Sequence, residues 1–171
     1  FRANLASDLV AQGRYDEAKS LLENSLEAHR KLIVTYADDP ARYGYFTIAS
    51  RWYADLVLRR DNAVDTYWGL VRERIEICEH ARSQSDWPLI ALRLIHAEDA
   101  SQLEHAGRRA EADRLIAYGL AVFGELAARE PPIAFARVKY AIWLITDAYG
   151  RWDTDPTSAS RSFRQAVELL E

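Results

Sequence analysis

The sequence predicts an all-α fold of about eight antiparallel helices. Three observations carry this. Apolar residues recur at helical spacing almost end to end, and no stretch shows the alternation of a strand. The only prolines, Pro40, Pro88, Pro131, Pro132 and Pro156, all fall where a turn or a first helical turn is expected, the places that tolerate proline. A turn signal also recurs at Gly13, Asp61, Gly107 and Gly150, at intervals of 48, 46 and 43 residues.

The opening hairpin is the clearest. Leu5, Ala6, Leu9 and Val10 form one helical stripe. Gly13 stops that helix, because glycine enters the left-handed conformation without a Cβ penalty. Asp16 and Glu17 occupy the first turn of the next helix, at the positive end of its dipole. Ala18, Leu21, Leu22, Ser25 and Leu26 form its buried stripe, which is expected to run to about Tyr36. Ala6 and Ala18 are small where the two helices must approach closely.

The stretch Asp38-Asp39-Pro40 ends the second helix and caps a third, expected from about Ala41 to Arg60. Asp61-Asn62 turns the chain into a fourth helix, roughly Ala63 to Arg82. Two apolar rows run along that helix, Val64, Trp68, Val71, Ile75 and Cys78, then Tyr67, Leu70, Ile77 and Ala81. So wide an apolar arc implies burial on two sides. Ser85-Asp86-Trp87-Pro88 starts a fifth helix, which is expected to continue to His105 and end at Ala106-Gly107. The sixth, Arg109 to Arg129, carries Ala112, Ile116, Gly119, Leu120 and Phe123. Pro131-Pro132 is expected to open the seventh and Tyr149-Gly150 to close it. Asp155-Pro156 leads into the eighth, with Ala159, Phe163 and Ala166 on its stripe.

These residues resemble the tetratricopeptide repeat, a helix-turn-helix family with Leu-Gly-x-x-Tyr in its first helix and Ala-x-x-x-Phe in its second. Leu5, Ala6, Leu9, Gly13, Tyr15, Ala18 and Leu22 stand at the matching positions of the first copy, and Ala159 and Phe163 match the last. The repeats are longer than the family's standard and look like the long-repeat, kinesin-light-chain-like subclass. The resemblance covers about four copies, residues 1–37, 41–84, 87–129 and 132–171, with the second degenerate. It implies a single domain, a right-handed α-α superhelix.

Composition agrees with a folded protein. Hydrophobic residues make up 49% and charged residues 28% of the 171. The net charge of -4 disfavours non-specific nucleic-acid binding. Cys78 is the only cysteine, so no disulfide framework can form within the chain, as expected of a reducing, cytoplasmic setting. No run reaches transmembrane length, so a membrane partner is not expected. The absence of methionine and the helical LLE at the end lead to the expectation of a piece of a larger protein.

No catalytic constellation emerges. There is no Gly-rich phosphate loop, nucleophile elbow or H-E-x-x-H pair. No histidine follows a glutamate at the di-iron spacing. His96-Ala97-Glu98 lacks the P-C-x-x-C that a zinc deaminase needs. Cys78 continues an apolar row and reads as a buried, inert thiol. Glu111 and Arg114 read as an ordinary surface pair. No enzyme activity, cofactor or metal is therefore expected.

The family resemblance implies that the first helix of each repeat lines a concave groove that takes a peptide or a partner helix. Taken relative to the small residue of that helix (Ala6, Ala54, Ala100, and Trp143 in the fourth copy), the lining residues are Arg51, Asp55, Leu58 and Arg59; Ala97, Ser101, Glu104 and His105; and Tyr140, Leu144, Asp147 and Ala148. Arg51, Asp55 and Arg59 lie one turn apart, suited either to holding a partner carboxylate or to forming an internal ladder. Aromatic residues concentrate in the second copy: Tyr43, Tyr45, Phe46, Trp52, Tyr53, Tyr67, Trp68 and Trp87. They fill the core, or the exposed ones anchor a partner. The function implied is a protein-binding scaffold. The alternative is a regulatory or self-associating segment of a larger bacterial signalling protein, such as a STAND-type ATPase or a protease.

Overall fold

In the computed structural model, residues 2–131, 133 and 135–171 are described. Among them the chain is all-helical, with nine α-helices, one 3-10 turn and no strand. The helices are α1 (Arg2–Ala11), α2 (Tyr15–Thr35), α3 (Pro40–Asp61), α4 (Val64–His80), α5 (Trp87–Leu94), α6 (Glu98–His105), α7 (Arg109–Ala127), α8 (Ala136–Arg151) and α9 (Pro156–Leu170). The 3-10 turn is Ala81–Ser83. The chain forms two compact units, Phe1–Leu94 and Ile95–Glu171.

In the first unit α1 and α2 form the expected hairpin. Gly13 has φ +74°. Its N–H donates to the Val10 carbonyl at 3.0 Å, and the Arg14 N–H donates to the Leu9 carbonyl at 2.9 Å. This pair of bonds is a Schellman motif, which satisfies carbonyls the helix end would otherwise leave open. Ala6, Leu9, Ala18, Leu22 and Leu56 then close a small core, with Val10, Leu21 and Tyr53 against it. At the start of α3 the Asp39 carboxylate accepts from the Ala41 N–H at 3.0 Å, with Pro40 in the first turn. Asn62 ends α3 in the left-handed conformation, φ 47°, which asparagine tolerates better than most residues. Of the apolar rows of α4, Tyr67, Leu70, Val71, Cys78 and Ala81 are buried, and Arg74 is buried among them.

Interhelical polar bonds brace this unit. Arg30 of α2 grips Glu73 of α4 through two bonds of 2.5 and 2.8 Å. The Tyr53 hydroxyl donates to Glu23 at 2.8 Å. Burial, helped by that carboxylate, pushes the Tyr53 phenol up to about 12. Lys19 pairs with Asp61 at 2.8 Å and Arg60 with Asp16 at 2.6 Å.

The second unit opens with a hairpin closed by the same bonds. Gly107 has φ +75°. Its N–H donates to the Glu104 carbonyl at 2.9 Å, and the Arg108 N–H donates to the Leu103 carbonyl at 2.8 Å. The likeness extends into the next helix. Arg14 pairs with Glu17 at 2.6 Å and Arg108 with Glu111 at 2.9 Å, and each arginine holds its glutamate below the usual carboxylate range. Glu111 therefore takes its hydrogen bonds from Arg108, not from the expected Arg114. The buried residues Ala6, Leu9, Ala18 and Leu22 recur as Ala100, Leu103, Ala112 and Ile116, each 94 positions later.

Three boundaries differ from expectation. The expected fifth helix is divided at Ile95–Ala97 into α5 and α6. No glycine or proline marks the break. The restart is marked only by Glu98 and Asp99 in the first turn of α6. The seventh helix begins at Ala136, not at Pro131-Pro132: Pro131 is non-helical, Pro132 lies outside the described residues, and Phe135 precedes the helix with φ 65°. That helix also runs through Gly150 to Arg151. The turn falls at 152–155, where Asp155 accepts from the Ser158 N–H at 3.0 Å and caps α9 ahead of Pro156.

Trp143 is wholly buried, in a helix where a small residue is expected. The small partner sits on the neighbouring helix instead. A Cβ on Gly119 of α7 would come within 2.6 Å of three carbons of the Trp143 indole. The Phe123 ring stacks beside it, centroids 6.4 Å apart. Ala141, Leu144 and Ala166 form a further core between α8 and α9.

Candidate functional site

The α3 helix presents a mixed apolar and charged row to solvent. Tyr45, Ile48 and Trp52 are exposed at 54%, 47% and 39%, spaced so that they share one side of the helix. Arg51 is exposed beside them and makes no ion pair among the described residues. Arg59 donates to Asp55 at 2.7 Å. The Arg-Asp-Arg ladder therefore has one closed rung, and Arg51 is left open. The other aromatic residues divide. Tyr43, Phe46, Tyr67 and Trp87 are buried, while Tyr53 and Trp68 are half-buried. The cluster thus splits between core residues and the exposed Tyr45 and Trp52.

In the second unit, Ser101, Glu104 and His105 lie on α6. Glu104 and His105 are exposed and Ser101 is half-buried. The Ser101 carbonyl lies 2.6 Å from His105 Nδ1. Glu104 pairs with Arg109, which also holds Asp113 at 3.0 Å and the Gly150 carbonyl at 2.6 Å. This arginine ties the hairpin turn to the end of α8.

Tyr140 is half-buried and packs into the unit. Its ring would lie 3.5 Å from a Cβ on Gly124, and its hydroxyl accepts from Gln165 of α9 at 3.2 Å. Leu144, Asp147, Ala148 and Ala97 are buried, so they line no open surface. Ala54 and Ala100 stand seven residues before Asp61 and Gly107, and the residue seven before Asp155 is the buried Ala148, not Trp143. The same spacing rule then points to Ile145, Tyr149, Trp152 and Asp153, of which Tyr149 and Trp152 are large apolar residues exposed at 71% and 51%. Both stand edge-on to the Phe163 ring, at 5.3 and 5.8 Å between centroids. Counting back from Asp155-Pro156 would have found them, whereas counting from Gly150 did not.

Among the described residues no three His, Cys, Asp or Glu side chains cluster as a metal site requires, and no helix is long and apolar enough to cross a membrane. No family model matches the chain, and no curated protein or solved structure matches it either.

Proposed function

We propose that the chain is a tetratricopeptide-like interaction module and that α3 carries its principal docking face, for a peptide bearing carboxylate and apolar side chains. The observation that carries this reading is the row of Ile48, Arg51 and Trp52: two large apolar residues in solvent beside an arginine with no ion pair among the described residues. Trp and Arg supply much of the binding energy at protein interfaces, and an arginine without a partner binds a carboxylate through paired hydrogen bonds. The hairpins closed at Gly13 and Gly107, with alanines at the helix crossings, support the repeat reading.

The test is affinity selection from a displayed random-peptide library on the intact chain and on the double variant Arg51→Glu, Arg59→Glu. Peptides enriched in Asp or Glu next to aliphatic residues are expected on the intact chain, with the variant binding them at least about tenfold more weakly, since hydrogen bonds to charged groups are worth roughly that factor. Equal binding to both proteins overturns the assignment of the face.

A second reading, self-association as part of a regulatory assembly, is favoured by α9. That helix leaves Val167 and Leu170 exposed on one face, an apolar pair that a second copy could cover. A concentration-dependent mass in solution that is abolished by Val167→Glu would support it. A constant monomer mass would remove it.

A further inference from the structure

We infer that a cleft in the first unit, between the C-terminal turns of α2 and α4, binds a small organic ammonium ion with an apolar body. The cleft has a volume of about 450 Å³, within the roughly 300–1,000 Å³ usual for small-molecule sites. Ile33 and Val34 of α2, Ala37 after it, Tyr43 of α3 and Ile77 of α4 supply apolar walls. The Tyr43 hydroxyl donates to the Ala37 carbonyl at 2.9 Å, so its polar end is already engaged and the ring serves as wall.

The charge pattern selects the sign of the ligand. Glu73, Glu76 and His80 complete the lining. Glu73 is neutralised by Arg30. Glu76 is exposed and makes no ion pair among the described residues, which leaves one open carboxylate. The two helices that form the walls both end here, α2 at Thr35 and α4 at His80. A helix C-terminus carries the negative end of its dipole and favours cations. Two such ends and a free carboxylate around an apolar pocket match an ammonium on a hydrophobic stem and repel a carboxylate on the same stem. None of the exposed α3 row lines the cleft, so the site does not depend on the peptide-docking reading.

The test uses phenethylamine, with phenethyl alcohol and phenylpropionate as the neutral and anionic counterparts, titrated into the full chain and followed by amide proton–nitrogen correlation spectra. The amine is expected to shift the amides of residues 33–37 and 73–80 and to bind about five- to tenfold more tightly than the alcohol, with the acid weakest. Glu76→Gln should reduce the preference for amine over alcohol severalfold while leaving the shifts in place, and an unchanged preference overturns the role of Glu76. Ala37→Trp, which puts an indole on the cleft wall, should abolish binding of all three with the rest of the spectrum retained. Absence of shifts at those amides with millimolar amine, or equal binding of amine and acid, overturns the proposal.

Discussion

Replacing Gly119 by alanine tests the packing of the second unit more sharply than any surface change. The new Cβ would lie within 2.6 Å of three indole carbons of Trp143, whereas comfortable carbon contacts are about 3.5 Å or more. The indole must therefore retreat by about 1 Å. It has nowhere simple to go, because Trp143 is wholly buried and the Phe123 ring stacks alongside. Overpacking of this kind costs about 1–3 kcal/mol. Against it stands the gain of about 1 kcal/mol when alanine replaces glycine inside a helix. The overlap involves several ring atoms, so the upper part of the range applies and the net loss is about 2 kcal/mol. In urea unfolding followed by tryptophan fluorescence, the midpoint should fall by about 1 M, with a slope near 1–3 kcal/mol per molar. In a Trp143→Leu background the alanine should become neutral or stabilising, because the clash is gone. A Gly119→Ala protein as stable as the parent, or more so, would refute the argument that glycine is there to admit the indole.

Two further predictions concern other elements. Gly107→Ala forces an L-residue to φ +75° and should cost about 1–2 kcal/mol, with Gly107→Asn milder; equal losses for the two variants in thermal unfolding would contradict a conformational cause. Tyr53 gives a pH signature: because its folded pKa lies above the ordinary value, its contribution is fully present below about pH 10 and is lost as pH rises toward about 12. Stability measured across that range should fall less steeply in Tyr53→Phe, and an identical fall in both proteins would remove Tyr53 as its source.

What was legible in the sequence was what is decided locally. Gly13 and Gly107 mark their turns because only the left-handed backbone closes them, and Asp39-Pro40 and Asp155-Pro156 mark helix starts because cap and proline act within a turn. Cys78 reads as buried from its place in an apolar row, and it is. What was not legible is decided by packing. The α5–α6 break lies among buried residues, Ile95 and Ala97, without a breaking residue, so no local cost announces it. Gly150 looked like a turn glycine but lies inside α8, where the Arg109 guanidinium reaches its carbonyl. That single misplacement moved the candidate surface by five residues, trading the exposed Tyr149 and Trp152 for the buried Leu144 and Asp147. The room that Trp143 needs is provided by another helix, at Gly119, which no local pattern in α8 announces.

The paired glycine-arginine turns bear on how the chain acquires its structure. Each turn draws its partners from a short local stretch, Leu9 to Glu17 in one case and Leu103 to Glu111 in the other. Closing so short a segment carries little loop entropy, and helix growth from it takes on the order of a microsecond. Neither hairpin has to wait for a distant segment to be synthesised or collapsed. Each unit thus has near its start a turn whose closing contacts are all local, so that either hairpin is expected to form without the other.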